Sequence, residues 1–320
     1  MNQKQKVLVT GGTGFVGQHL LQRLLTHPQL APISATRLSS GLPLNIQSVV
    51  VGDINGQTDW AQALAGVDTV VHTAARVHVM KEAAGDPLAA FRLVNVLGTL
   101  NLARQAVAKG VRRFVFISSV KVNGESTVPG VPFAERMAPA PQDAYGMSKL
   151  EAEQGLCEIA SMTGMEVVII RPPLIYGPGV KANFAALLAA VKRGIPLPLG
   201  AIHNARSLVG LDNLIDFIVT CITHAKAANQ TFMVSDGQDL STTELIRGIA
   251  QGAGVSAHLV SPPMWTLKAG ARLLGKGDAM QRLCGNLQVD ITKARVLLAW
   301  VPPVSVSEGL RRTVEELNVK

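Results

Sequence analysis

The chain has 320 residues, nearly half of them hydrophobic, with three cysteines, few aromatics and a net charge of +8. That length suits one large α/β domain or two closely joined ones, with ample interior to bury. Three classes are excluded. No apolar run is long enough to cross a bilayer. The cysteines (Cys157, Cys221, Cys284) and the seven histidines show neither disulfide nor metal-ligand spacing. The basic residues neither cluster nor alternate with aromatics as a nucleic-acid surface requires. The start, MNQKQKVLVTGG, lacks the apolar core of a signal peptide, so a cytoplasmic protein is expected.

In chain order, strands are expected at KVLVT, PISAT, SVVVGDI, DTVVHTAA and RFVFISS. Helical patterns lie between them: GQHLLQRLLTH, TDWAQALAGV and FRLVNVLGTLNLARQAVAKG. A further helix, DAYGMSKLEAEQGLCEIASMTG, precedes a sixth strand, MEVVIIRPPLIYG. This alternation predicts a doubly wound parallel sheet covered by helices on both faces. After Gly177 the texture changes to turn signals: GPG, GIPLPLG and the pairs Pro262–Pro263 and Pro302–Pro303. Residues 1–175 therefore read as one domain. Residues 176–320 read as a smaller lobe whose chain re-enters the sheet domain. Lys268, Arg272, Lys276 and Arg282 fall among apolar residues and read as one amphipathic, solvated helix.

The first strand–helix junction holds GGTGFVG, with Gly11, Gly14 and Gly17 spaced three apart and Gly12 in a second frame. At such a junction, one glycine permits the tight turn and another lets the backbone approach a pyrophosphate. The last lets the helix pack on the strand. The first helical turn, with Phe15 and Val16, then aims free N–H groups at the phosphates. A polyanionic dinucleotide also accounts for part of the positive charge. The usual acidic residue after the second strand is missing, and Arg37 stands there instead. Its forked donors suit a ribose 2′-phosphate, which tilts the cofactor from NAD(H) towards NADP(H). Asp53 and Ile54, after the third strand, are placed for the adenine.

Tyr145 and Lys149 lie four apart, on one face of a helix. A tyrosine titrates near ~10, too high for neutral-pH acid–base work, and a nearby ammonium lowers it. Ser118 and Ser119 close the fifth strand, where such sheets bind ligands and where a hydroxyl can hold a substrate oxygen.

These residues together resemble an extended short-chain dehydrogenase/reductase of the NAD-dependent epimerase/dehydratase family. The resemblance runs through GGTGFVG, GDI, HTAA, VNVLGTLNL, FISS, YGMSK and RPPLIYGPG. It implies a Rossmann domain with a C-terminal substrate lobe, and a homodimer. It implies Ser119, Tyr145 and Lys149 as the catalytic residues, with Asn95 supporting the lysine. Ala74, Ala75, Pro172 and Leu174 would line the cofactor site. Asn183, Arg206 and Arg282 would meet the diphosphate of a UDP-sugar, with Ser118 and Lys121 also facing the substrate.

In the family's 4,6-dehydratases an Asp-Glu pair follows the catalytic hydroxyl. Here Val120 and Lys121 stand there, which argues against dehydration. The segments SSVKVNGE, PPLIYGPGVKANF, RSLVGLDNLID and SDGQDLSTTEL resemble a bacterial subgroup of surface-polysaccharide synthesis. That resemblance implies reduction of the C4 ketone of a UDP-4-keto-6-deoxy-N-acetylhexosamine. A UDP-hexose 4-epimerase is the nearest rival, although Val122-Asn123-Gly124 departs from the V-Y-G common in epimerases. A non-catalytic dinucleotide sensor is the rival of another class.

Overall fold

The computed structural model describes residues 4–38, 45–77, 86–273, 275 and 277–315. Nine strands are named among them: β1 (Gln5–Thr10), β2 (Leu30–Thr36), β3 (Gln47–Val50), β4 (Thr69–His72), β5 (Arg113–Ile117), β6 (Glu166–Arg171), β7 (Leu174–Tyr176), β8 (Leu208–Gly210) and β9 (Gln230–Met233). Seven form one parallel sheet in the order β3-β2-β1-β4-β5-β6-β9. The strand order reverses between β1 and β4, which opens a crevice at the carboxyl ends of those strands.

The helices are α1 (Phe15–Leu25), α2 (Pro87–Arg92), α3 (Thr99–Ala108), α4 (Ala144–Thr163), α5 (Ala182–Lys192), α6 (Leu211–Thr223), α7 (Thr242–Gly252), α8 (Met264–Leu273), α9 (Gly277–Cys284), α10 (Thr292–Leu298) and α11 (Val306–Glu315). Strand residues alternate between two cores. Val7 and Val9 join Leu20, Leu24, Val115, Phe217 and Phe232 on the α1/α6 face. Leu8 joins Val70, Phe114, Leu102 and Leu156 on the α3/α4 face. Covered on both faces, the strands become near-continuous apolar runs, as a parallel sheet requires.

Three expectations differ. TDWAQALAGV forms turns rather than a helix, although Trp60, Ala63 and Leu64 are buried. The sixth strand breaks at Pro172–Pro173, because proline lacks the ladder N–H. Its second half, β7, pairs in parallel with β8 in a separate two-stranded sheet. The basic helix expected over 268–282 is two helices, α8 and α9, separated at Gly275 (φ +63°). Lys276 and the Lys268 side chain lie outside the described residues.

The carboxyl-terminal half returns to the large sheet through β9, which pairs with β6. Its own core gathers Tyr176, Phe184, Leu188, Ile246, Ile249, Leu310 and Val314 from β7, α5, α7 and α11. The stretch 286–290 laces the halves together. Gln288 O accepts the Phe133 N–H at 2.8 Å, and Leu287 O accepts the Ser207 N–H at 2.8 Å. The architecture is the expected Rossmann-type α/β fold.

Candidate active site

The β1–α1 turn is tight. Gly11 has φ +72°, and the Gly14 N–H donates to Gly11 O at 2.8 Å. A Cβ on Gly17 would stand 2.2 Å from Gly11 O, and one on Gly11 would stand 2.8 Å from the Ala74 nitrogen. A Cβ on Gly12 would meet Ser34 Oγ at 2.3 Å. Every glycine of the motif except Gly14 is therefore forced by its neighbours, and Gly14, at the N-cap, leaves the first helical turn uncapped. That turn, with Phe15 and Val16, holds no acidic residue and no side-chain cap. Free N–H groups at an uncapped positive helix end fit a pyrophosphate.

Ala74 and Ala75 follow β4 beside this turn, half-buried. Thr73 Oγ1 donates to Thr10 O at 2.6 Å, and the Ala74 N–H donates to Thr10 Oγ1 at 3.3 Å, so β4 and the glycine turn are one unit. Arg37, just past β2, is exposed and faces Asp53 at 3.7 Å. The two predicted adenine-end residues thus come together. Ile54 is turned inwards, its Cγ2 2.6 Å from the place a Cβ on Gly98 would take.

Tyr145 and Lys149 lie on one face of α4, with the Lys149 Nζ 6.0 Å from the Tyr145 ring centroid. The Asp143 carboxylate caps the helix by accepting the Gly146 N–H at 2.7 Å. Lys149 is almost fully buried. It donates to Ile117 O at 2.8 Å and stands 4.3 Å over the Phe116 ring. Burial pulls its ammonium down to about 7, with Glu153 partly opposing. The expected lowering of Tyr145 is not what the structure gives. Lost solvation pushes the phenol upwards, and the Asp143 carboxylate adds to it. Phe91 packs edge-on against Tyr145 at 6.1 Å. Stacked on Phe116 with ring centroids 5.9 Å apart, His72 is sealed between Thr10 Oγ1 (2.7 Å) and Thr99 Oγ1 (3.0 Å), and burial, with the Lys149 charge adding to it, lowers it to about 3.

Ser119 is half-buried at the end of β5, and its Oγ accepts the Lys121 N–H at 3.2 Å. Ser118 corrects the sequence reading. It is buried and donates to the Glu153 carboxylate, so its hydroxyl is not offered to a substrate. Asn95, in a π-turn over Leu93–Gly98, makes no direct hydrogen bond to Lys149, which the resemblance would let it support through water. Its side chain holds the Arg76 backbone at 2.8 and 3.0 Å and donates to Ser148 Oγ at 3.0 Å. Pro172 is buried and its carbonyl accepts the Val120 N–H at 3.0 Å, while Leu174 is half exposed.

Lys121 is also committed elsewhere. Its ammonium pairs with Glu125 at 2.8 Å and with Asp143. Burial works against that charge, but the two carboxylates outweigh it and hold Lys121 above its ordinary range. Burial likewise opposes the Asp143 carboxylate, which Lys121, the Gly146 N–H and nearby Arg282 hold low. Arg206 is half-buried and donates to Gly285 O at 3.1 Å. Burial lowers it and Glu125 partly offsets this. Arg206 thus lies within electrostatic reach of Glu125, and Arg282 within reach of Asp143. Asn183 is exposed in the first turn of α5, next to Ala182 in a left-handed conformation (φ +57°).

Sequence reasoning missed Asp143, Glu153 and Arg171. Each left a signal: an N-cap Asp before a helix, an acid one turn past Lys149, and a charge inside an apolar strand.

A model of the NAD dependent epimerase/dehydratase family matches residues 7–235. A UDP-glucose 4-epimerase of Vibrio cholerae is 48% identical over 97% of this chain and 95% of its own. A GDP-6-deoxy-D-mannose reductase of Pseudomonas aeruginosa is 28% identical over 98% and 97%. The crystal structure of a UDP-glucuronic acid 4-epimerase from Bacillus cereus in complex with NAD superposes with a TM-score of 0.79. It is 23% identical and covers 98% of this chain and 99% of that one, so it shares the fold. Glycine turn, sheet order and relatives agree: this chain is an enzyme of the NAD dependent epimerase/dehydratase family, built as an extended short-chain dehydrogenase/reductase.

Proposed function

We propose that this chain interconverts C4 epimers of a UDP-hexose by transient oxidation at C4, with a nicotinamide dinucleotide on the glycine turn. The observation that supports this reading is Lys149, with its Nζ 6.0 Å from the Tyr145 ring centroid and anchored on Ile117 O, two residues before Ser119 at the end of β5. The full-length similarity to the Vibrio cholerae UDP-glucose 4-epimerase supports the sugar class and the reaction. A nicotinamide dinucleotide held by the glycine turn and Lys149 would supply the hydride acceptor and donor for C4.

Tyr145 Oη, starting as the phenolate, would accept the C4 hydroxyl proton as C4 is oxidised and return it when C4 is reduced from the other face. Because burial and Asp143 push the phenol upwards, that phenolate depends on the nearby Lys149 ammonium. Ser119 Oγ donates a hydrogen bond to the C4 oxygen. Lys149, anchored on Ile117 O, orients the nicotinamide ribose and supports negative charge on Tyr145. Asn183, Arg206 and Arg282 hold the diphosphate. Val120 is buried and Lys121 is paired with two carboxylates, so neither acts as the acid–base partner that dehydration needs.

Reduction of a UDP-4-keto-6-deoxy-N-acetylhexosamine in surface-polysaccharide synthesis is the second reading. Arg37 favours it: an exposed guanidinium at the end of β2 suits the 2′-phosphate of a dissociable NADPH. A non-catalytic sensor is disfavoured by the intact Tyr145 and Lys149.

The test mixes purified protein with UDP-glucose and NAD, and separately with UDP-4-keto-6-deoxy-N-acetylglucosamine and NADPH or NADH. UDP-galactose formed without net cofactor turnover is the expected result. Stoichiometric oxidation by the keto sugar alone would make the protein a reductase. No conversion in either mixture would overturn both readings.

A further inference from the structure

The Glu153–Arg171 pair is nearly inaccessible to solvent and touches nothing in the chemistry above. Both side chains are at least nine-tenths buried. Glu153 sits on α4, one turn beyond Lys149. Its carboxylate receives the Ser118 hydroxyl, and the Arg171 Nε at 3.0 and 3.2 Å. Arg171 Nη2 completes the fork, and its Nη1 donates to Asn123 Oδ1 at 2.9 Å. Asn123 in turn donates to Ala134 O at 3.2 Å.

The sequence neighbours of these groups are informative. Ser118 precedes Ser119. Arg171 precedes Pro172, whose carbonyl receives the Val120 N–H. Asn123 ends the short 3₁₀ turn that Ser119 starts. One ion pair therefore binds the helix of Tyr145 and Lys149 to the ends of β5 and β6 and to the loop after Ser119. Buried ion pairs are costly to desolvate, and apolar replacements of equal volume are often as stable. Placement at the junction of three catalytic elements gives this pair another use.

We propose that Glu153, clamped by Arg171, is the positioning residue that fixes Ser119, Tyr145 and Lys149 in one register and supplies the buried counter-charge to the Lys149 ammonium. This rests on the catalytic reading of those three residues. The groups facing Lys149 are Tyr145 and Glu153 from α4, His72 from β4, and the Phe116 ring and Ile117 carbonyl from β5, with Arg171 of β6 behind Glu153. Glu153 is the one carboxylate in that set. Burial pulls Lys149 down and Glu153 opposes the fall. Neutralising Glu153 leaves Arg171 uncompensated, so both changes drive the Lys149 proton off at lower pH.

The experiment is the pH profile of UDP-glucose epimerisation by the Glu153→Gln holoenzyme. Turnover should fall about tenfold or more, while KM changes little. The alkaline limb should move down by about one unit. A double variant, Glu153→Gln with Arg171→Met, removes both charges and should bring the limb back towards the wild type. A uniform loss with the limb unmoved would reduce the pair to packing and overturn the proposal.

A second readout is the NMR titration of ¹³Cε-labelled lysine, with Lys149→Met assigning the signal. It does not depend on turnover. A shifted Lys149 titration in a protein inactive on UDP-glucose upholds the coupling and faults the functional reading. An unshifted titration overturns the coupling, whatever the activity.

Discussion

At the residue scale, the same chemistry acquires different properties from its surroundings. Lys121 and Lys149 are both enclosed, yet two carboxylates raise the first and burial lowers the second. Burial brings Lys149 to about 7, so its charge changes near neutral pH. Arg37 is the residue that bears on cofactor choice. Its only close charge is Asp53 at a loose 3.7 Å among the described residues, so a 2′-phosphate can recruit it. Arg37→Ala should weaken NADPH about 10–100-fold relative to NADH, the value of one or two charge-assisted hydrogen bonds. Fluorescence titration of both cofactors measures this. An unchanged ratio would remove Arg37 from the cofactor site.

At the element scale, the β1–α1 turn and α4 were legible because their signals are local. Glycine spacing follows from close backbone approach, and Gly17 has no room for a side chain. Gly17→Ala should cost about 1–3 kcal/mol, measured by urea unfolding, and weaken dinucleotide binding. A stable variant that binds normally would show that the turn can relax. Helix α4 announces itself with Asp143 at its start and Gly164 (φ +73°) at its end. The segment 58–67 misled because its backbone is claimed from outside. The Trp60 N–H donates to the Gln105 side chain, and Thr58 O accepts from Asn101 and Gln105. Its apolar residues are buried without a helix. The Ser118–Glu153–Arg171 network was hidden for a related reason: its members lie far apart in sequence and meet only when three elements close. Lys121 was legible as a position but not as a partner, since Asp143 comes from another element.

At the scale of the whole molecule, buried polar groups tie the elements and set the response to acid. Arg113 is buried and donates to the carbonyls of Cys221, Ile222 and His224 at the end of α6, as well as to Glu166 at 2.7 Å. Arg113→Met should cost about 3–5 kcal/mol in unfolding free energy, because it strands carbonyls and a carboxylate together. A loss near zero would contradict that role. His72 gives the pH dependence. Its pKa is about 3 when folded, against 6.5 ordinarily. Between those values the unfolded chain binds the extra proton, so stability rises with pH there and is lost on acidification. The full effect approaches about 5 kcal/mol. Chemical unfolding between pH 7 and pH 4 should show a steeper fall in the wild type than in His72→Gln; equal slopes would exclude His72 as the source.

The central claim is that Tyr145 moves the C4 proton. The direct measurement is the rate of UDP-glucose to UDP-galactose conversion, followed by proton NMR, for the wild type and Tyr145→Phe loaded with the same cofactor. The phenylalanine variant should lose about 10²–10⁴-fold in turnover while binding the dinucleotide as before. Conversion at the wild-type rate would contradict the account.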